Sequence, residues 1–600
     1  FRPAPGIDPR IYGVGGYFVS THVTRDLEIH SGRQLGLDWE WTYCPWNLAG
    51  NWFIEESEWK PDDGYMHWQT YWKRKSCTYE EYQLAERKRF TSGDRQAAML
   101  FYVLIKDTAK EIVKCFPDAQ RVNDKGVTIP DSFLYSLPDN QNRTALTFPS
   151  GSGLSGFLER ELRLAAENYQ ISGFALDMTN WSGNDYCEAQ RNFASGRSFD
   201  ADGKIFTSDA IVPIPFARYM RTLRHAGKPM AVMMNHALEN QPALPIFYAD
   251  AVMFEGNPEA QLDNFRSLRL MSGQKPLTVW GGLGRGNNSA INWHLAQDPE
   301  IHSGIIAGLA QYLLFNCLRY GVSPMNWVVE YRDRKYFRPW LELIRELKRA
   351  GWNPVPALSC KDGDRLWFGR FGSGLDTIFT ISNPGRASVE TTVTLYRKYL
   401  KADGYRPKAV TGQALEPLVA KDVIQLPVRL AAKEIMVLRD QNWQAEKPCG
   451  IFGKTEDILD FFSPEAVRSG EISVVIRNEA NRGICGFLDR YYPYRQACHE
   501  KDKRNFTREP GMLNPRFNDC WSLTLSDQLG SGRQIAVGSM TDFPELVELL
   551  PTEAAELAGT SGAVILLPEK KVLWICARGG EPVKKAADVF FDFLDQNYQP

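Results

Sequence analysis

Asp177 and Glu255 are the two residues whose type and setting best suit catalysis. Each closes an apolar run, Gly173-Phe174-Ala175-Leu176-Asp177 and Ala251-Val252-Met253-Phe254-Glu255. Carboxylates ending two buried strands can face one pocket and divide an attack and a proton transfer between them. Cleavage of a glycosidic bond needs such a pair: one carboxylate attacks or positions the anomeric carbon, and the other protonates the leaving oxygen. The acid must hold its proton near neutral pH and belongs in the less solvated place. Glu255, between Phe254 and Gly256, suits that role. Asp177, shortly before Asn180 and Trp181, has the more polar setting of an ionised nucleophile.

Other runs end on residues that suit substrate binding. One ends in Asn235-His236, another in Trp280 followed by Gly284-Arg285-Gly286, and an earlier one in Asp38-Trp39-Glu40-Trp41. Trp39, Trp41, Trp46 and Trp52 form a dense aromatic patch, which is either core or a flat platform for sugar rings. His236 suits a pocket wall; no second His lies at metal-ligand spacing, so neither a metal nor a cofactor is expected. The Gly-rich stretch around Arg285 lacks both GxGxxG and a Lys-Ser/Thr ending and makes a poor phosphate loop.

The elements that must position these residues follow from the pattern. From about residue 78 to 350, helical stretches alternate with short continuous apolar runs. Such runs are buried on both faces and belong to a parallel sheet. Six strands are clear, and Gly13–Val19 and Leu35–Thr42 bring the number to eight, which predicts a (β/α)₈ TIM barrel over residues 1–353. In such a barrel, functional groups sit at the C-terminal ends of strands. After Pro354 the pattern changes to short strands broken by turns such as Asn383-Pro384-Gly385, predicting an antiparallel β-sandwich over 354–445. Residues 446–600 alternate strand and helix again, predicting a small α/β domain.

Composition limits the alternatives. The chain has 600 residues, too many for one core. Its net charge of -2 gives no electrostatic footprint for nucleic acid or an acidic membrane surface, and no apolar run is long enough to span a bilayer. The 17 Trp lean toward a carbohydrate partner. The 11 Cys, an odd number without a CxxC pair, argue against a disulfide framework and for folding in a reducing compartment. The chain starts at Phe1 without Met, so a leader removed beforehand would imply export; otherwise a cytoplasmic location is expected. The oligomeric state is open.

With these residues in place, the sequence resembles the retaining glycoside hydrolase barrels of the α-galactosidase clan and the endo-α-N-acetylgalactosaminidases. The resemblance rests on Gly173–Asp177 and Val252–Glu255 and spans about residues 10–440. It implies that Asp177, ending the fourth strand, is the nucleophile and Glu255, ending the sixth, the acid/base. The chain departs from that group at Ala175, where many α-galactosidases carry Lys or Trp; Ala175 equally excludes the amylase-like Arg two residues before the Asp. The Asn-Glu pattern of the large β-glycosidase clan is absent. Gln534–Ala577 looks like the small α/β accessory domains found beside some hexosaminidases and α-glucuronidases.

The preferred expectation is therefore retaining cleavage of an α-linked sugar. An inverting enzyme on the same barrel, a barrel that only binds glycans, and a polysaccharide lyase using Arg285 and His236 are the alternatives.

Overall fold

The computed structural model describes residues 5–13, 15–19, 38–43, 98–104, 107–109, 115–129, 143–145, 152–177, 179, 184–188, 197–208, 213–235, 244–255, 262–280, 315, 319, 323–326, 334–361, 363–400, 404–443, 449–461, 472–478 and 524–578, and a few single positions from 583 to 593. The alternating sequence pattern predicts helices at Tyr79–Phe90 and Gly304–Leu318; the first and most of the second lie outside the described residues.

Eight parallel strands pair in a closed ring. They are β1 (Gly15–Val19), β2 (Trp39–Tyr43), β3 (Ala98–Leu104), β4 (Gly173–Asp177), β5 (Ala231–Asn235), β6 (Ala251–Glu255), β7 (Leu277–Trp280) and β8 (Ser323–Asn326). Each pairs with the next in sequence, and β8 returns to β1.

Alternation along each strand divides the apolar runs between two cores. Phe101, Val103, Phe174, Leu176, Val232, Met234, Val252, Phe254, Leu277 and Val279 pack outward with the helices. Trp39, Trp41, Ala98, Leu100, Tyr102, Ala175, Ala231, Met233, Ala251 and Met253 fill the barrel's interior. The interior set is uneven in size. Two indoles from β2 occupy the lumen opposite alanines of β4, β5 and β6, which keeps the volume near close packing. Ile7 and Ile11 plug the same core from below.

Helices cover the outside. In α1 (Gly153–Asn168), Ser152 caps the N-terminus by accepting from the Ser155 N–H at 3.1 Å, and Leu154, Leu158, Leu162 and Ala165 make one buried face at helical spacing. α2 (Pro213–Met220) and α3 (Leu262–Ser272) bury Phe216 and Met220, and Phe265 and Leu268. α4 (Arg334–Ala350) buries Leu341, Ile344 and Leu347, while its Arg345 and Lys348 reach the barrel's floor.

Beyond α4, two antiparallel sheets share an apolar core. The first has the order β9 (Trp352–Asn353), β11 (Trp367–Phe371), β12 (Ile378–Ser382), β17 (Ile435–Asp440), β14 (Pro407–Thr411). The second has the order β10 (Leu358–Cys360), β13 (Val389–Tyr396), β16 (Val423–Leu430), β15 (Leu418–Val419). Phe379, Ile381, Val393, Leu395, Ile424 and Leu426 meet between them. The sequence pattern marks strands at Leu366–Arg370, Asp376–Ser382, Ser388–Tyr396, Val423–Leu426 and Glu434–Leu438, which are β11, β12, β13, β16 and β17; β9, β10 and β15 are too short to show as runs, and β14 begins on Pro407. The first sheet also packs on the barrel's helical layer through Phe371, Ile378 and Val437, and the guanidinium groups of Arg266 and Arg319 each lie 4.9 Å from the Trp367 ring centre.

The last sheet is mostly parallel, in the order β18 (Gly450–Phe452), β22 (Ala563–Leu567), β23 (Val572–Cys576), β21 (Arg533–Gly538), β19 (Ile472–Ile476), β20 (Thr524–Ser526); the β22–β23 pair is antiparallel. The sequence pattern predicts one helical stretch over Phe543–Ala558, but it is interrupted: Pro544–Val547 and Thr552–Thr560 are helical, with Pro551 between them at the N-cap of the second.

Candidate active site

Asp177 is the last residue of β4 and is half-buried at the C-terminal mouth of the barrel. Both of its carboxylate oxygens accept hydrogen bonds. The Asn235 amide donates to Oδ1 at 2.7 Å, and the Tyr102 hydroxyl donates to Oδ2. Asn235 ends β5, the adjacent strand, and is buried. The Thr179 hydroxyl donates to the Asn235 backbone carbonyl, which ties the segment after β4 to the end of β5. Donors on both oxygens fix the plane of the carboxylate.

Tyr102 was absent from the candidates drawn from the sequence. The sequence carried part of the signal, a phenol within an otherwise apolar strand, since a buried phenol must find an acceptor; that it faces the lumen is shown by the structure. It pairs in register with Ala175, two residues before Asp177. Ala175 leaves the space through which the phenol reaches the carboxylate.

Glu255 is the last residue of β6, in register with Trp280, the last residue of β7. Trp46, Asn180, Trp181, His236 and Arg285 lie outside the described residues.

The group around Asp38 requires a correction. The sequence placed these residues at the end of the second strand; the structure places them at its start, because β2 runs from Trp39 to Tyr43. Asp38 is buried at the N-terminal end of the barrel, where its Oδ2 accepts from Arg345 Nε at 2.6 Å. Trp39 and Trp41 have no exposed surface and are lumen core rather than a sugar platform. Trp39 donates its indole N–H to the Gly13 carbonyl at 3.3 Å, and Lys348 Nζ donates to the same oxygen at 2.6 Å. Glu40, in register with Gly16 and Met99, occupies the second position of β2.

A second polar set completes the floor. Asp250 Oδ2 accepts from the Val232 N–H at 3.0 Å, and its Oδ1 lies 3.3 Å from Arg221. Lys275 donates to the carbonyls of Ile246 and Phe247, and burial pushes its ammonium down to about 8, the nearby Asp250 charge opposing the shift. These groups bond to one another and to backbone at the end remote from Asp177, so their role is to hold the barrel.

Comparison with known proteins adds likenesses of structure. No family model matches the sequence. No curated protein matches it either. Among solved structures, an α-amylase from Anoxybacillus is similar at 11% identity with a TM-score of 0.41, over 72% of this chain and 99% of that one. A cycloisomaltooligosaccharide glucanotransferase from Paenibacillus, in complex with cycloisomaltoheptaose, is similar at 10% identity with a TM-score of 0.45, over 72% and 85%. A maltogenic α-amylase from Thermotoga neapolitana is similar at 10% identity with a TM-score of 0.39, over 73% and 100%.

Proposed function

We propose that this chain is a retaining glycoside hydrolase acting on an α-linked sugar, with Asp177 as nucleophile and Glu255 as acid/base. Residues 1–353 would be the catalytic unit, with 354–445 and 446–600 as accessory units. The observation that carries the reading is the Asp177 carboxylate at the barrel mouth, held by Asn235 and Tyr102 through hydrogen bonds to both oxygens.

In the first step, an Asp177 oxygen attacks the anomeric carbon as the glycosidic bond breaks, and Glu255 gives its proton to the leaving oxygen. In the second, Glu255 takes a proton from water; the water oxygen bonds to the anomeric carbon and Asp177 leaves. β4 and β6 are separated by one strand, hence by roughly 10 Å between strand axes. That spacing leaves room for carboxyl groups to converge from both sides on one anomeric carbon.

The test is hydrolysis of aryl α- and β-glycosides, glycosyl fluorides and α-linked oligosaccharides by wild type, Asp177→Asn and Glu255→Gln, with the first-formed anomer read by NMR. Cleavage with retention, lost by several orders of magnitude in both variants, supports the proposal. Recovery of Glu255→Gln on substrates with activated leaving groups identifies it as the acid. An inverted product, near-full activity in either variant, or no hydrolysis of any of these substrates overturns it.

A further inference from the structure

We propose that Tyr102 is a positioning residue for Asp177 and that Trp41 in turn fixes Tyr102; this rests on the reading of Asp177 as the nucleophile. The β3–β4 register sets Tyr102 beside Ala175 and Leu104 beside Asp177. Tyr102 therefore starts one inward layer below the carboxylate and reaches up to Oδ2 from within the lumen. Only 4% of Tyr102 is exposed, so it meets the carboxylate from within the lumen. Its other flank is filled by the fully buried Trp41, whose ring centre lies 5.9 Å away at an interplanar angle of 51°.

A phenol in this place has a specific consequence. A guanidinium or ammonium would bind the carboxylate strongly and blunt its attack; a phenol orients it and leaves the charge on it. As the bond from Asp177 to the anomeric carbon forms, the carboxylate loses charge and the hydrogen bond from Tyr102 weakens. When water displaces Asp177, the charge returns and the bond strengthens. The phenol thus favours the second step, in which the ester bond breaks. No proton leaves Tyr102 in either step; the only proton transfers are those of Glu255.

The experiment compares Tyr102→Phe, Trp41→Phe, the double variant and Asp177→Asn with wild type, on a substrate cleaved by wild type. Tyr102→Phe is expected to lower kcat roughly 10- to 100-fold, the range of a hydrogen bond to a charged group, with KM within about threefold. A pre-steady-state burst of released aryl alcohol, larger than in wild type, marks the slowed second step. Trp41→Phe is expected to lose less, and the double variant little more than Tyr102→Phe, because both act through one hydroxyl. Replacing Tyr102 with ring-fluorinated tyrosines keeps the shape and makes the hydroxyl more acidic; kcat should then follow that acidity, which a space-filling role would not produce.

If Tyr102→Phe equals wild type while Asp177→Asn is inactive, the inference fails and the catalytic reading stands. Failure is also shown if the fluorinated tyrosines behave like tyrosine while Tyr102→Phe mainly raises KM. If Asp177→Asn is active, the catalytic reading itself fails. Independently of any substrate, thermal unfolding of Tyr102→Phe, Asp177→Asn and their double variant reports the pairing: non-additive shifts in Tm support it, and additive shifts overturn it.

Discussion

Arg345 Nε stands 2.6 Å from Asp38 Oδ2, both side chains buried, at the end of the barrel opposite Asp177. The pair joins α4 to the start of β2 across 307 positions of sequence. Losing Asp38 leaves Arg345 its ion pair with Glu342, 2.5 Å away, so the cost is that of a hydrogen bond to a charged group, roughly 1.5–3 kcal/mol. Asp38→Asn should therefore lower the unfolding free energy in denaturant titration by about that amount. At a temperature where the variant is still folded, KM for any cleaved glycoside should be unchanged. A raised KM with full stability would return Asp38 to the substrate side.

The Asn235 amide offers the complementary case, a large effect on rate with a small one on stability. Asn235→Ala removes the donor to Asp177 Oδ1 and keeps the backbone carbonyl that Thr179 holds. kcat/KM should fall roughly 10- to 100-fold. Asn235→Asp should fall further, because two adjacent carboxyl groups hold a proton between them, which takes the nucleophile out of its attacking form. Equal activity of the Ala and Asp variants would show that the amide does not bear on Asp177.

How much of this was legible in the sequence varies from strand to strand. β4, β5, β6 and β7 were legible because strands buried on both faces read as unbroken apolar runs, and the polar residue that ends such a run marks its exit from the sheet. β2 was not, because its tryptophans and acids carry no such contrast. Placing it at Leu35–Thr42 rather than Trp39–Tyr43 turned the floor of the barrel into its mouth, and gave Asp38, Trp39 and Trp41 a role that their burial excludes. Tyr102 was overlooked for a different reason. Within an apolar run, lumen and outer faces look alike, and only the register with Ala175 shows that its hydroxyl meets Asp177.

Below the barrel, Asp8 should make stability depend on acid pH. Burial raises its carboxyl value, but the hydrogen bonds and charge of Arg10 and the Ser172 hydroxyl outweigh it and hold the group below the ordinary carboxylate value. A carboxyl depressed in the folded state contributes stability that is full above its unfolded value and is lost as pH falls through the folded one. Asp8→Asn should therefore narrow the stability difference between pH 6 and pH 3 relative to wild type. An unchanged difference would mean that the contacts with Arg10 and Ser172 are not maintained in solution.

Gly15 tests the lumen packing that carries all of this. In β1 it is in register with Trp39, and a β-carbon built on it would fall 2.0 Å from Trp39 Cε2 and 2.1 Å from Cζ2. The indole thus lies flat against backbone that only glycine exposes. Gly15→Ala must push the ring away from the Gly13 carbonyl that accepts its N–H, and toward Ala98 in a core without slack. Overpacking of this kind costs about 1–3 kcal/mol, so Tm should fall by several degrees and the tryptophan emission should change. Trp39→Leu in the Gly15→Ala background removes the clash along with the ring. If the geometry is right, the pair of substitutions destabilises less than the sum of the two alone. Additive losses would mean that Trp39 does not occupy the place beside Gly15, and the support of Tyr102 by the neighbouring Trp41 would then have no fixed base.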